Sequence, residues 1–277
     1  MAKRKRDTTP QSIKKRIKQG RGIGRLADYQ PWLHIQDVPS LGLACRSKGW
    51  KTDRVHHVLS LFELRYFYVQ EWLTSVVDIR EQFPLLPLEE TISIAADCGI
   101  PHPVHPRTKH PIVLTTDFVI TVRCDSTDLD VPKTLKYKAD LCSWRTLAKL
   151  ELERRYWEVR KKKLKIVTED NVPKVLAKNV EWIHPYRYVE NFSELEEVEF
   201  SLIASTVLLE LRKQKGPLCQ ITMFLDDRLG VEVGTCLSIT RYLIASRHLL
   251  VDMMKPINPS EPLNLLKQGE QGNDLNH

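Results

Sequence analysis

Apolar and polar residues follow two different periods along this chain, and the switches between them mark its elements. Residues 54–73 place Val55, Val58, Leu59, Phe62, Tyr66, Phe67 and Val69 at helical spacing, which predicts an amphipathic helix. From Val76 to Gln82 the pattern becomes strand-like, and Pro84 and Pro87 break it, because proline has no N–H to give to a ladder. Residues 86–111 hold five prolines after Leu86 and read as a loop-like insertion. Strands are expected at 112–123 and 133–139. An amphipathic helix follows from Ser143, its N-cap, to Lys162, then a short strand at 164–167 and a helix from Val175 to Ile183. The order α-β-β-β-α-β predicts an α/β domain, a mixed sheet flanked by helices.

Residues 186–191 read as a link to a second domain. Helical patterns recur at about 196–213, 218–228 and 235–247, and Leu249–Met254 reads as a β element. Three helices and a β wing predict a small winged-helix-like domain over 189–277, with the polar stretch from Leu266 to His277 frayed. The α/β unit then covers 31–188. No internal repeat or low-complexity segment interrupts this plan.

Charge changes the picture at one end only. The chain has 277 residues and a formal net charge of +7, from 42 Lys/Arg and 35 Asp/Glu. Residues 1–30 hold ten of those cations and two Asp, so the other 32 cations face 33 acids. The basic residues belong to a flexible arm, with a short basic helix over 11–19, in which Lys14, Lys15, Arg16, Lys18, Arg21 and Arg25 are candidate DNA contacts. A solubilising tail is the other reading of the same residues. Six cysteines without C-x-x-C spacing read as free thiols of a reducing compartment. No apolar run reaches membrane-span length and no apolar segment follows the basic N-terminus. A soluble intracellular protein is expected, with no membrane partner.

Three residues carry the chemistry. Glu63 lies in the helix 54–73, Asp117 interrupts the apolar strand 112–120, and Lys138 closes Leu135-Lys136-Tyr137-Lys138. An acid inside an apolar strand needs a partner if buried, and a metal ion or another cation supplies one. Carboxylate oxygens suit Mg²⁺, which polarises a phosphate and lowers the pKa of water. A nearby lysine can orient that water or stabilise developing charge. Cys98, His102, His105 and His110 form a rival metal set in the proline-rich insertion, although their spacing fits no standard zinc finger. His56 and His57 read either as packed or as phosphate contacts. On the helix 143–162, the interleaving of Glu151, Glu153 and Glu158 with Lys149, Arg154, Arg155, Arg160, Lys161 and Lys162 reads first as surface i,i+4 pairs.

The order helix acid, strand acid, strand lysine, long helix resembles the PD-(D/E)XK nuclease core of restriction endonucleases. The resemblance narrows with Arg80-Glu81-Gln82-Phe83-Pro84-Leu85, Lys18-Gln19-Gly20-Arg21-Gly22, Tyr29-Gln30-Pro31-Trp32-Leu33, Arg54-Val55-His56-His57 and Leu150-Glu151-Leu152-Glu153-Arg154-Arg155-Tyr156-Trp157. These blocks resemble the TnsA family, endonuclease subunits of heteromeric cut-and-paste transposases. The resemblance implies Mg²⁺-dependent cleavage at the 5′ ends of a transposon, with Mn²⁺ a possible substitute, in the bacterial cytoplasm. It implies Glu63, Asp117 and Lys138 as catalytic residues, a TnsB-like DDE transposase as partner, and a TnsC-like AAA+ ATPase docking on the C-terminal region. It marks Arg154 and Arg155 as DNA contacts.

One position departs from that pattern. The residue two before the lysine is Asp, Glu or Gln in the general motif and Lys136 here, and an ammonium cannot ligate a metal. Three readings stay open. The Tyr137 carbonyl replaces the lost oxygen; Lys136 contacts phosphate beside a single ion; or the chain is a DNA-binding assembly factor that has lost cleavage. A restriction-type nuclease acting alone is a further alternative.

Overall fold

The computed structural model describes residues 8–38, 44–192, 195–213 and 216–266. It divides into two compact units at Val172/Pro173. The expected boundary at 188 falls within the second unit, because the helix ending at Ile183 packs on that unit's last helix.

In the first unit, helix α1 (Pro10–Lys18) is followed by a hairpin of β1 (Cys45–Lys48) and β2 (Val55–Val58), then helix α2 (Leu61–Trp72). The helix expected over 54–73 is therefore two elements. Val55 and Val58, three residues apart, fit the helical period, but in β2 it is His56 and Val58 that turn inward, alternately with exposed Val55. The main sheet has the order β3-β4-β5-β6, from β3 (Val76–Pro84), β4 (Thr115–Cys124), β5 (Thr127–Leu135) and β6 (Lys165–Val167). The first three strands pair antiparallel and β6 pairs parallel to β5. The parallel pairing follows from the crossover through helix α4 (Trp144–Val159). Tyr156 and Trp157 of α4 form a buried cluster with Val119 and Leu85, and Tyr66 of α2 packs on Phe118. Adjacent residues of β4 thus anchor the two layers. Ser143 is the N-cap residue of α4 by position, but its side chain makes no capping bond.

The insertion is not all loop: it contains helix α3 (Leu88–Asp97). Pro87 precedes the helix, where a missing N–H costs nothing, and the next proline is Pro101. The 11–19 helix is present as α1, started by a reciprocal Thr9–Ser12 capping box.

The expected flexible arm is a strap laid along the open edge of β3. Trp32 N–H donates to the Gln82 carbonyl at 3.1 Å, the Tyr29 hydroxyl to the Glu81 carbonyl at 3.0 Å, and Leu26 N–H to Asp78 at 3.2 Å. An edge strand otherwise offers these groups to any passing chain. Gly22 lets the strap approach: its φ is +83°, and a Cβ there would stand 2.2 Å from the Pro84 ring. Residues 1–7 of the arm lie outside the described residues.

The signature run on β3 is charged yet buried. Glu81 is fully buried; it accepts both Arg54 guanidinium nitrogens, the His56 ring at 2.8 Å and His57 N–H at 3.0 Å. Arg80 reaches Asp130 at 2.6 Å, which also holds Lys162 and Arg25. These pairs lock hairpin, strap and sheet together.

In the second unit, α5 (Lys174–Ile183), α6 (Glu197–Lys213), α7 (Leu218–Leu229) and α8 (Thr235–Ala245) enclose a core that includes Val207, Leu225 and Ile239. Residues 250–252 and 264–266 form a short antiparallel ribbon, the expected wing. Asp226 accepts Gly234 and Cys236 N–H, both at 2.8 Å, and so satisfies amides at the start of α8. Arg241 on α8 is stacked between Trp182 and Tyr186 and donates to the Tyr186 hydroxyl at 2.7 Å, so its guanidinium is held within the unit.

Candidate active site

Glu63 is fixed first as part of a helix cap. Ser60 has extended backbone and its hydroxyl accepts Glu63 N–H at 3.1 Å, so the acid is the third residue of α2. Its carboxylate folds back to accept Leu59 N–H at 3.0 Å and the Ser60 hydroxyl at 3.3 Å, a variant of the capping box. Burial, and then the charge of Asp117, push its pKa up to about 7.

Asp117 projects from β4 beside the end of β5. Its Oδ2 accepts Thr134 Oγ1 at 3.0 Å, Leu135 N–H at 2.7 Å and Lys136 Nζ at 3.0 Å. Burial opposes the charge on Lys136, but Asp117, Glu153 and Glu63 outweigh it and hold the pKa above the ordinary lysine value. The residue that departs from the motif is therefore the lysine at the centre of the carboxylates.

Two contributors were not expected. Glu153 is 6% exposed, and its pKa is pushed up to about 8 by burial and then by Asp117. Its Oε1 is buried without a hydrogen-bond partner. It belongs to the site rather than to the surface pairs assigned to it, and its spacing from Leu150 and Trp157 already placed it on the inward stripe of α4. Gln82, with φ +49°, is the second. It accepts Thr115 Oγ1 at 3.2 Å and lies 3.5 Å from Glu63 Oε2.

Lys138 is not brought to these groups. β5 ends at Leu135 and residues 138–142 form a 3-10 turn, so the expected strand to 139 stops short. Lys138 Nζ pairs with Asp170 in an exposed ion pair. The Tyr137 carbonyl accepts Asp140 N–H at 2.9 Å within that turn, and its ring packs on Phe62. Arg16 and Arg21 both pair with Asp37, and Arg21 also donates to the Trp32 carbonyl, so they fasten the strap. Arg25 pairs with Asp130. Arg154 binds Glu151 and Glu158, and Arg155 binds Glu151. Lys14, Lys15 and Lys18 remain exposed on α1.

The Cys98/His102/His105/His110 set does not converge. His102 bonds Thr91 and His105 accepts Thr108 N–H. Among the described residues no group of three or more His, Cys, Asp or Glu side chains is arranged to hold a metal, and the six cysteines are free. At Glu63 and Asp117 the donors are the hard oxygens that Mg²⁺ takes. The raised acids and the orphaned Glu153 oxygen describe a site short of positive charge, which a cation fits.

Two family descriptions match the chain: TnsA-like endonuclease N terminal over residues 73–169 and TnsA endonuclease C terminal over residues 171–253. Transposon Tn7 transposition protein TnsA of Escherichia coli is 37% identical over 268 residues, which cover 96% of this chain and 94% of that protein. Among the described residues no helix is long and apolar enough to cross a membrane. The mixed sheet, the acids brought together from α2, β4 and α4 and a relative matched along nearly its whole length agree: the chain belongs to the TnsA endonuclease family and is a transposon-cutting endonuclease.

Proposed function

We propose that this endonuclease hydrolyses the 5′ strand at transposon ends with Mg²⁺, or Mn²⁺ in its place, held by Glu63 and Asp117. The observation that carries the reading is the gathering of Glu63, Asp117, Glu153 and Lys136 around one point. When bound, the metal polarises the phosphate and acidifies the attacking water. The water oxygen bonds to phosphorus, the bond from phosphorus to the leaving sugar oxygen breaks, that oxygen takes up a proton from solvent to become a hydroxyl, and the water's proton passes to solvent through the site acids. Gln82 and the cap at Ser60 hold Glu63 in place. Lys138 reaches the phosphate by leaving Asp170, an exposed ion pair that water screens.

The partners follow the same family logic. Exposed Lys14, Lys15 and Lys18 supply DNA phosphate contacts. A DDE-type transposase cuts the other strand, and an AAA+ ATPase docks on the C-terminal unit in the bacterial cytoplasm. Val198 and Leu202 of α6 are 80% and 64% exposed, which supports a protein partner there. The rival reading, an assembly factor without cleavage, draws on Lys136 sitting on Asp117. One assay decides: on end-containing DNA with Mg²⁺ and the partner transposase, the chain nicks the 5′ strand and Asp117→Asn does not. No nicking by the unaltered chain, or equal nicking by both, removes the proposal.

A further inference from the structure

We propose that the Lys136 ammonium takes the place of one divalent cation, so that the site binds a single metal ion; this rests on the metal-dependent reading above. The argument begins at one oxygen. Asp117 Oδ2 already accepts Thr134 Oγ1, Leu135 N–H and Lys136 Nζ. A carboxylate has about four lone-pair sites over its two oxygens, so Oδ2 is fully subscribed. Two-ion sites clamp ions roughly 3.5–4 Å apart, and an aspartate serves both by giving one oxygen to each. Here only Oδ1 is left to give.

The ammonium is seated rather than passing through. Its three N–H donors match three acceptors: Asp117 Oδ2 at 3.0 Å, the Leu135 carbonyl at 2.8 Å and Thr134 Oγ1 at 3.3 Å. With every donor engaged, Lys136 does not also grip a phosphate oxygen. It acts as a fixed positive charge. Glu63 and Glu153 also lie within its field, so it neutralises part of the cluster that a second ion would otherwise neutralise. Its backbone N–H is pinned to the Val167 carbonyl at 3.0 Å, which keeps the side chain at the end of β5. The chain thus replaces an exchangeable cation with a covalently tethered one.

The test counts ions on the full chain, using Mn²⁺ titration followed by electron paramagnetic resonance and calorimetry. The unaltered protein should bind one Mn²⁺, and Asp117→Asn should lose it. Lys136→Gln removes the charge and adds an oxygen; it should bind two Mn²⁺ and show Mn–Mn dipolar broadening. Lys136→Met removes the charge alone and should bind its first ion roughly tenfold more tightly or better. Circular dichroism and thermal unfolding check that both variants fold, and either suffices if the other does not. Two ions on the unaltered chain overturn the inference and leave the metal-dependent reading standing, as does a Lys136→Gln protein that stays at one ion with unchanged affinity. No ion on the unaltered chain but one on Lys136→Gln also overturns it, since Lys136 would then exclude metal. No ion on either protein removes the metal-dependent reading itself.

Discussion

Replacing Glu153 by Gln should stabilise the metal-free protein, and the gain should grow with pH. Glu153 is nearly fully buried with an orphaned oxygen, and its pKa stands at about 8 against 4.5 for the free side chain. A raised folded-state pKa means that the folded form takes up the proton first. Its stabilising contribution is complete below pH 4.5 and is lost as pH rises to about 8. The distance from 4.5 to about 8, at ~1.4 kcal/mol per pH unit, sets an upper bound of roughly 5 kcal/mol on the penalty above pH 8. Glutamine mimics the protonated acid without titrating. The difference between variant and parent should therefore be near zero at pH 4.5 and climb to a few kcal/mol by pH 8.5. Urea unfolding in EDTA, followed by tryptophan fluorescence, measures it, since five of the six tryptophans lie in the first unit. Added Mg²⁺ should raise the parent more than the variant and close the gap. A difference that does not change with pH would refute the reasoning, because a merely packed Glu153 would give a constant offset.

Two further outcomes follow from the fold. Changing Lys14, Lys15 and Lys18 together to Ala should weaken DNA binding without loss of stability and flatten the log–log salt dependence by about 2–3, at ~0.9 per lost phosphate contact; an unchanged slope would leave α1 without a DNA role. Arg54→Met should destabilise the first unit by about 3–5 kcal/mol, since it strands a fully buried Glu81 carboxylate; denaturant titration should show much of that loss recovered when Glu81→Gln is added, and simple additivity would mean the pair is not the cause.

The elements with a single clean period were legible in the sequence: α4, α5 and the three helices after 195 stand near where the pattern put them. Legibility failed where two signals overlapped. The i,i+3 spacing of Val55 and Val58 ran on into that of α2 and hid the alternation of His56 and Val58 with Val55 in β2, and the prolines at 87 and 101 concealed the proline-free turns of α3 between them. In the site, Glu63 and Asp117 were readable because an acid inside an apolar run demands an explanation. Glu153 was not, because in a list of charges its neighbours Arg154 and Arg155 supplied an easy pairing. The strap was read as flexible for the same reason. What fixes Arg21 is Asp37, and what receives Tyr29 is a carbonyl 52 residues away. Local pattern carries no record of partners at that distance.

That separation has a consequence for how the molecule is made. The strap leaves the ribosome before β3, and its docking edge does not exist until β3 has been synthesised about fifty residues later, an interval of roughly 3–10 s at ordinary elongation rates. For that time a segment rich in lysine and arginine is tethered to the translating ribosome, beside RNA, without the strand edge it docks on. Once β3 appears, its edge is in turn open to other nascent strands until the strap returns. Closing so long a loop is the slow kind of contact. Birth order therefore runs against docking order: the strap is translated before the strand edge that receives it.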